Sequence, residues 1–268
     1  MAIPLAASAQ GKDAAKKPPA DKAAADKSAE KKSEAGVNWS GQVIKATGSG
    51  APDMKASSPA QARLGAEMAA KMDAFRNLLS QVKGIQVSGG KTVGDAMAAD
   101  ELRGKVEGVI RGYKVTGKRY FSDNGVEMDV EVPLAALTEA VVPQSTGADS
   151  GKLACTDKGE KKNTGLIVDA RGLDVTPALS PRILDESGNT LYAADCVKDD
   201  AKKSSGVAGY TENLDNAKKD MRVGDKPLVL KAKAINGSDV VLSAEDVKKL
   251  GEGNNSYLAE GRVVIVTK

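Results

Sequence analysis

The chain has 268 residues, a formal net charge of +3 and no histidine. The lack of histidine excludes an imidazole base, a Ser-His-Asp triad and a histidine-ligated metal. Aromatic residues make up only 3% of the chain, so an apolar core must be built from aliphatic side chains and methionine. The small net charge argues against a nucleic-acid surface, and no apolar run reaches the ~20 residues of a transmembrane helix.

The first ten residues have features of an export signal. Ala7-Ser8-Ala9 before Gln10 has the small-x-small form of a signal-peptidase site, and residues 1–6 form a short apolar stub before it. We therefore expect an exported protein, periplasmic or associated with the outer membrane, with residues 1–9 as a signal-peptide remnant. An alanine-rich start without this role is the alternative. Neither cysteine occupies a lipobox position, so we expect no lipid anchor at this N-terminus.

Residues 10–36 contain alanine, lysine, acidic residues, serine and proline but no large apolar side chain. Such a segment cannot bury enough surface to offset the entropy of ordering, which predicts a disordered spacer. A basic arm that binds an anionic partner such as lipid headgroups is the alternative. The interleaved acidic residues nearly cancel the lysines and favour the spacer.

The strongest helical pattern runs from Ser58-Pro59 to about Lys83. Ser58 is the predicted N-cap, Pro59 the first helical residue and Gly84 the C′ residue. Alanines along the segment permit a close approach to a sheet. Large apolar residues recur at spacings of three and four, which predicts that they form one buried face. They are Leu64, Met68, Met72, Phe75, Leu78, Leu79 and Val82.

Strands are predicted on both sides of this helix. A strand at 41–48 precedes it, and a weaker helix at about 92–105 and a long strand at 107–121 follow. Asn124-Gly125 predicts a hairpin turn into a returning strand at 126–132, with its valines and Met128 on the core face. The acidic residues of the hairpin are predicted to form a solvated face rather than an acid–base pair: Asp123, Glu127, Asp129 and Glu131.

A polar linker at 143–163 leads to a second unit, residues 164–268. Apolar segments predict strands at 164–170, 227–235, 239–242 and 262–267, and residues 198–209 predict a polar loop. The chain is thus predicted to be an α+β protein of two small domains. The first, residues 37–142, is a strand-helix-strand-strand antiparallel sheet with one long helix. The second is mostly β with short helices.

Both units resemble bacterial envelope proteins. The residues that carry the first resemblance are Trp39-Ser40-Gly41, Pro59-Ala60-Gln61-Ala62-Arg63, Asp73-Ala74-Phe75-Arg76-Asn77-Leu78-Leu79, Gly84-Ile85-Gln86-Val87 and Val130-Glu131-Val132-Pro133-Leu134. This series resembles the bacterial twenty-kilodalton lipoprotein family and the N-terminal domain of the flagellar assembly protein T family. The resemblance implies a dodecin-like fold in a secreted envelope protein. Residues 165–173 and 177–183 resemble a region of uncharacterised exported bacterial proteins.

Cys155 and Cys196 are the only cysteines and are too far apart for a CxxC motif. In an exported protein such a pair is most simply a structural disulfide, which contributes up to ~4 kcal/mol in the chain-entropy model. Two unrelated buried thiols are the alternative.

Four charged residues of the second unit form a candidate partner-binding patch: Asp169, Arg171, Arg182 and Asp185. An internal network of ion pairs that fixes strand register is the alternative. The sequence contains no P-loop, GxGxxG or GxSxG motif, and no catalytic residues, cofactor or metal are predicted.

These features predict a non-enzymatic exported protein of the cell envelope that acts as a protein-interaction or assembly module. The first resemblance extends this to flagellar or outer-membrane machinery. Its partners are expected to be envelope proteins, and peripheral membrane association and oligomer formation are compatible with the sequence. A periplasmic protein that binds a small ligand in the groove between helix and sheet is the alternative. A hydrolase that uses carboxylates alone has no supporting motif.

Overall fold

The computed structural model describes residues 35–142, the first region, and 159–268, the second region. The predicted signal-peptide remnant, most of the spacer and most of the linker lie outside these residues. The elements of the first region are β1 (Gly36–Asn38), β2 (Val43–Gly50), α1 (Pro59–Lys83), β3 (Gln86–Ser88), β4 (Lys91–Thr92), α2 (Val93–Ala96), α3 (Asp100–Arg111), β5 (Lys114–Tyr120), β6 (Val126–Pro133) and α4 (Leu134–Val141).

The first region is an antiparallel sheet of order β1-β2-β6-β5, covered on one face by α1. The N-terminal cap of α1 confirms the sequence prediction, whereas Gly84 is the C-cap residue and not the predicted C′ residue. The side chain of Ser58 accepts a hydrogen bond from the backbone N–H of Gln61 at 3.2 Å, Pro59 is the first helical residue, and Gly84 follows the last. Strand β6 presents its valines and Met128 to the helix, and all of them are buried as predicted.

Small residues on both elements bring α1 against β2. The buried residues of α1 are spaced by four: Ala62, Ala66, Ala70, Ala74, Leu78 and Val82. On the facing strand, a Cβ atom at Gly48 or Gly50 would overlap the helix backbone. The predicted close approach of alanines to the sheet is therefore confirmed. The groove between helix and sheet is filled by these contacts.

The predicted buried face of α1 is wrong for its first half. Leu64, Met68 and Met72 are 62%, 62% and 60% exposed. They too are spaced by four, but an offset of two residues from the alanines turns them by about 200° to the opposite side of the helix. The alanines face the sheet because Gly48 and Gly50 of β2 lie against the helix backbone and leave no space there for a methionine side chain.

The segment before β5 is helical where the sequence pattern predicts a strand. The predicted strand at 107–121 begins only at Lys114, because residues 100–111 form α3. Val106 and Ile110 are fully buried and are spaced by four, as a helix requires. The predicted hairpin between β5 and β6 is confirmed, with Asn124 at a left-handed φ of 66° in its turn.

The second region contributes a seven-stranded sheet. Its elements are β7 (Gly165–Asp169), β8 (Ile183–Leu184), β9 (Thr190–Tyr192), a 3₁₀ turn (Ala194–Cys196), α5 (Asp199–Ser205), β10 (Gly209–Thr211), α6 (Leu214–Lys219), β11 (Pro227–Asn236), β12 (Asp239–Leu242), α7 (Ala244–Gly251), α8 (Ser256–Ala259) and β13 (Val263–Val266). Helix α5 replaces part of the loop predicted at 198–209. Its acidic first turn and basic last turn suit the helix dipole.

The strand order of this sheet is β10-β13-β7-β11-β12-β8-β9. Strands β10, β13, β7 and β11 run parallel to one another, whereas β12 pairs antiparallel to β11 and β9 antiparallel to β8. The carboxyl ends of β7, β10 and β13 therefore meet at the same edge of the sheet. The predicted fold class is confirmed: the protein is α+β, with one long helix on an antiparallel sheet and a strand-rich region with short helices.

Buried side chains of both regions belong to one apolar cluster. Strand β3 joins the regions by backbone hydrogen bonds, because the N–H groups of Leu179 and Ser180 donate to Gln86 and Val87. Trp39 packs edge-on against Tyr210 of β10, with ring centroids 5.3 Å apart. The predicted domain boundaries stay a prediction.

Candidate functional site

The outward side of α1 carries a row of exposed apolar side chains. We call Leu64, Met68 and Met72 the outer ridge; together they cover about 12 Å of helix axis. All three are at least 60% exposed. Unbranched methionine side chains adapt to irregular partner surfaces and are overused at protein-binding sites. The outer ridge can therefore bind an apolar surface without rearrangement of the fold.

The charged residues beside the outer ridge are unevenly distributed. Arg63, Lys71 and Arg76 are exposed, whereas Glu67 and Asp73 are partly buried against the sheet. Glu67 accepts hydrogen bonds from the Tyr120 hydroxyl (2.9 Å) and the Lys118 ammonium (3.4 Å). These contacts, first that of Tyr120, hold the pKa of Glu67 below its usual value.

Asp73 is likewise held by the sheet. One of its carboxylate oxygens accepts hydrogen bonds from the backbone N–H of Ser49 at 2.9 Å and from the Asn77 amide at 3.3 Å. Both acidic side chains of α1 thus face its neighbours, and the exposed charges of the helix are basic.

A second cluster lies on the face of the first sheet that α1 leaves uncovered. Arg119 donates to both carboxylate oxygens of Asp129, at 2.5 and 3.1 Å, and to Glu127 at 2.9 Å. The Thr47 hydroxyl donates to the same carboxylate at 2.7 Å. Asp129 is only 5% exposed, so the predicted solvated face is wrong at its centre.

This cluster is suited to holding strands together rather than to proton transfer. The hydrogen bonds from Arg119, and then that from Thr47, lower the pKa of Asp129 below its usual value. A general acid or base needs a pKa near the working pH, and this carboxylate is moved away from neutrality. Asp129, Glu127 and Arg119 lie on the two neighbouring strands β6 and β5, so the cluster fixes their register.

The residues of the predicted partner-binding patch fall into separate sets. At the carboxyl end of β7, Arg171 donates through Nε (2.8 Å) and Nη2 (2.7 Å) to the two carboxylate oxygens of Asp169. This bidentate contact lowers the pKa of Asp169. The Arg171 side chain is 47% exposed, so solvent reaches the pair.

Arg182 and Asp185 are not paired with this set or with each other. Arg182 donates to Asp239, the first residue of β12, through Nε (3.1 Å) and Nη2 (2.5 Å). Asp185 instead organises its own turn, because it accepts from the N–H groups of Ser187 (2.9 Å) and Asn189 (2.8 Å). Asp239, which is 1% exposed, has no sequence signal, because only the parallel pairing of β12 with β8 brings it to Arg182.

A cleft lies at the carboxyl ends of β7, β10 and β13. It consists of two adjoining cavities of about 370 and 530 Å³, which share Pro177, Glu212 and Thr267 in their walls. Trp39 lines the first cavity and Asp174 the second. Ligands of open sheets with parallel strands bind at this kind of edge. The cleft is therefore a candidate small-ligand site that the sequence pattern does not reveal.

Cys196 ends the 3₁₀ turn after β9. Cys155 lies outside the described residues, so its bond to Cys196 stays a prediction. Within residues 35–142 and 159–268, no group of three cysteine or acidic side chains is arranged to hold a metal ion. In the same ranges, no helix combines the length and apolarity that crossing a bilayer requires.

The seven-stranded sheet and the cleft lie in a part of the chain that matches a known family model. Residues 165–268 match the family described as the second domain of Treponema pallidum Tp0624. The matched range begins at the first residue of β7 and contains every strand of this sheet. No curated protein matches the chain. The second region is thus similar to a bacterial protein domain, whereas the resemblance of residues 39–134 stays a prediction.

Proposed function

We propose that the protein is a non-enzymatic interaction or assembly module of the bacterial cell envelope, which docks on a partner through the outer ridge. The exposure of Leu64, Met68 and Met72 carries this proposal. Large apolar side chains grouped on a surface are costly in water and are typical of interaction sites. In this protein the three side chains of the outer ridge lie in a row on α1, whose backbone packs directly against β2.

The proposal extends to compartment and machinery. The apparent signal-peptidase site at Ala7-Ser8-Ala9 supports export to the periplasm, and the family resemblance of residues 39–134 supports a place in flagellar or outer-membrane assembly. Protection from protease in intact cells, followed by cleavage after the outer membrane is opened, tests the compartment. Cleavage only after lysis of the inner membrane would contradict export.

The docking role is tested by the size of the protein's complexes in a native envelope extract. We compare the wild type with the triple variant Leu64→Gln/Met68→Gln/Met72→Gln by sedimentation. Glutamine has nearly the helix propensity of leucine and methionine, so the helix is retained. The wild type is expected in a large assembly and the triple variant as a monomer.

A matched control removes exposed apolar side chains elsewhere. Met221 and Val229 are 94% and 42% exposed and lie outside α1. The variant Met221→Gln/Val229→Thr is expected to sediment with the wild type. A wild-type protein found only as a monomer would overturn the docking role, as would a triple variant that still enters the assembly.

A second candidate function is the binding of a small ligand at the cleft. The groove between helix and sheet has no room for a ligand, since Gly48 and Gly50 touch the helix backbone. The cleft at the carboxyl ends of the parallel strands is open and is lined by Trp39 and by polar groups. A thermal-shift screen of envelope metabolites against the wild type and Glu212→Gln tests this function. A ligand that stabilises both proteins equally does not depend on Glu212 and would not support binding at the cleft.

A further inference from the structure

The basic residues beside the outer ridge are available to a partner. Among the described residues neither Lys71 nor Arg76 forms an ion pair, and Lys71 is close enough to Glu67 to help lower the pKa of that carboxyl. Arg63 donates a hydrogen bond to the amide oxygen of Asn124 (3.3 Å) and lies over the ring of Tyr120. The exposed charged residues of α1 are Arg63, Lys71, Arg76 and Lys83. The exposed charged side chains of α1 are therefore all basic.

We propose that the partner of the outer ridge is an acidic amphipathic helix of another protein. This inference rests on the proposed function, which assigns the ridge as the docking surface. Apolar side chains of the partner helix pack against Leu64, Met68 and Met72, and carboxylates beside them face Lys71 and Arg76. The small residues Gly65 and Ala69, on the side of the ridge away from Lys71, let a second helix backbone approach closely.

A second copy of this chain fits the surface less well. If two α1 helices packed through their ridges, basic side chains of one would lie beside basic side chains of the other. The acidic residues Glu67 and Asp73 could not offset this charge, since both are hydrogen-bonded on the side of the sheet. Like charges brought together at an interface oppose binding and select against that partner.

An anionic bilayer also fits less well. Helices that lie on membranes present tryptophan, phenylalanine and leucine over a broad apolar face. The ridge has one leucine and two methionines, and Phe75 is partly buried beneath the guanidinium of Arg111. The three basic residues nearest the ridge are fewer than the clusters of about four to eight that bind anionic lipid.

The first test identifies what contacts the ridge. The full chain carrying Met68→p-benzoylphenylalanine is expressed in its native cells, irradiated, and the cross-linked peptide is sequenced by mass spectrometry. The expected peptide comes from another protein, has apolar residues at helical spacing and carries acidic residues beside them. A cross-link to a peptide of this same chain, to lipid, or to a basic or neutral segment would overturn the inference.

The second test reverses the charge. Adding Lys71→Glu/Arg76→Glu to the cross-linking chain is expected to reduce the cross-link yield at least about tenfold. The matched control Lys226→Glu/Lys248→Glu changes two other exposed lysines and is expected to retain the yield. Circular dichroism melts of all chains verify that they fold.

The outcomes separate the two proposals. If the charge-reversed chain cross-links as well as the parent chain with p-benzoylphenylalanine at Met68, while the glutamine triple variant leaves the assembly, docking stands and the acidic partner is wrong. Binding of the purified protein to phosphatidylglycerol vesicles, lost in the triple variant, or its ridge-dependent self-association would also overturn the acidic partner. If the triple variant stays in the assembly, the proposed function itself fails.

Discussion

Gly48 of β2 faces α1 so closely that a Cβ atom at this position would overlap the carbonyl oxygen of Ala70. The same relationship recurs one helical turn earlier, where Gly50 faces Ala66. Strand and helix are thus joined by backbone contact rather than by interlocking large side chains. This contact determines which side of α1 is buried, and so determines that the outer ridge faces solvent.

The substitution Gly48→Ala is expected to lower the free energy of unfolding by at least about 2 kcal/mol, because overpacking against a backbone cannot be relieved by rotating a side chain. Urea denaturation measures this. Gly65→Ala is the control, since Gly65 lies on α1 with open space around its Cβ position. It is expected to stabilise the protein by up to about 1 kcal/mol. Equal effects of the two substitutions would contradict the close packing.

The helix itself could be predicted from the sequence, but its buried face could not. Ser58, Pro59 and Gly84 mark its ends by local rules that need no tertiary contact. The buried side of its first half depends on Gly48 and Gly50 of β2, which face Ala66, Ala70 and Ala74 too closely for any larger side chain to fit. Hydrophobicity ranks methionine above alanine for burial and therefore selects the wrong side.

Introducing glutamine on the two sides of α1 is expected to affect the melting temperature very differently. Met68→Gln leaves the melting temperature of the isolated protein nearly unchanged, because the side chain it replaces is mainly in water. Ala70→Gln lowers it strongly, because Ala70 is fully buried against β2 and has no space for an amide. Differential scanning calorimetry compares the two. A large loss of stability from Met68→Gln would mean that the ridge is part of the core.

The Arg119–Asp129 contact shows a similar limit of sequence reasoning. Strand alternation correctly places Glu127, Asp129 and Glu131 on one face of β6. Alternation does not predict which residue of β5 lies opposite these carboxylates, because the register of β5 shifts near Gly117. In the structure Arg119 pairs with two of them, Glu127 and Asp129. The polar face of β6 that the sequence predicts is therefore exposed to solvent only in part, since Asp129 at its centre is buried.

Arg119→Met is expected to destabilise the protein by about 3 kcal/mol, because among the described residues it leaves the buried Asp129 carboxylate with Thr47 as its side-chain donor. Arg111→Met is the control: it removes a surface ion pair with Glu107 and the charge above the Phe75 ring, and it is expected to cost less than about 1 kcal/mol because the guanidinium is exposed. Urea denaturation at neutral pH compares the variants. If both cost the same small amount, the Asp129 contact does not contribute through burial.

The stability of the protein is expected to depend on Asp129 in acid. Its pKa is lower in the folded state than in the unfolded state, so its ionised form contributes stability above the unfolded value of about 3.9. That contribution is lost as the pH falls through the lower, folded pKa. The free energy of unfolding should therefore fall more steeply below about pH 4 in the wild type than in Asp129→Asn. Parallel slopes in urea titrations from pH 6 to pH 2.5 would contradict the assignment.

Arg171→Ala separates the two interpretations of the pair with Asp169. Solvent reaches the pair, and exposed ion pairs contribute less than about 1 kcal/mol, so we expect a melting temperature close to that of the wild type. If the pair binds a partner, the variant loses a complex in native extracts although its melting is unchanged. Arg182→Ala is the comparison, because it leaves the buried Asp239 carboxylate without its guanidinium and is expected to lower the melting temperature. A large loss of stability from Arg171→Ala, with complexes retained, would assign the pair to holding β7 and its neighbours in place.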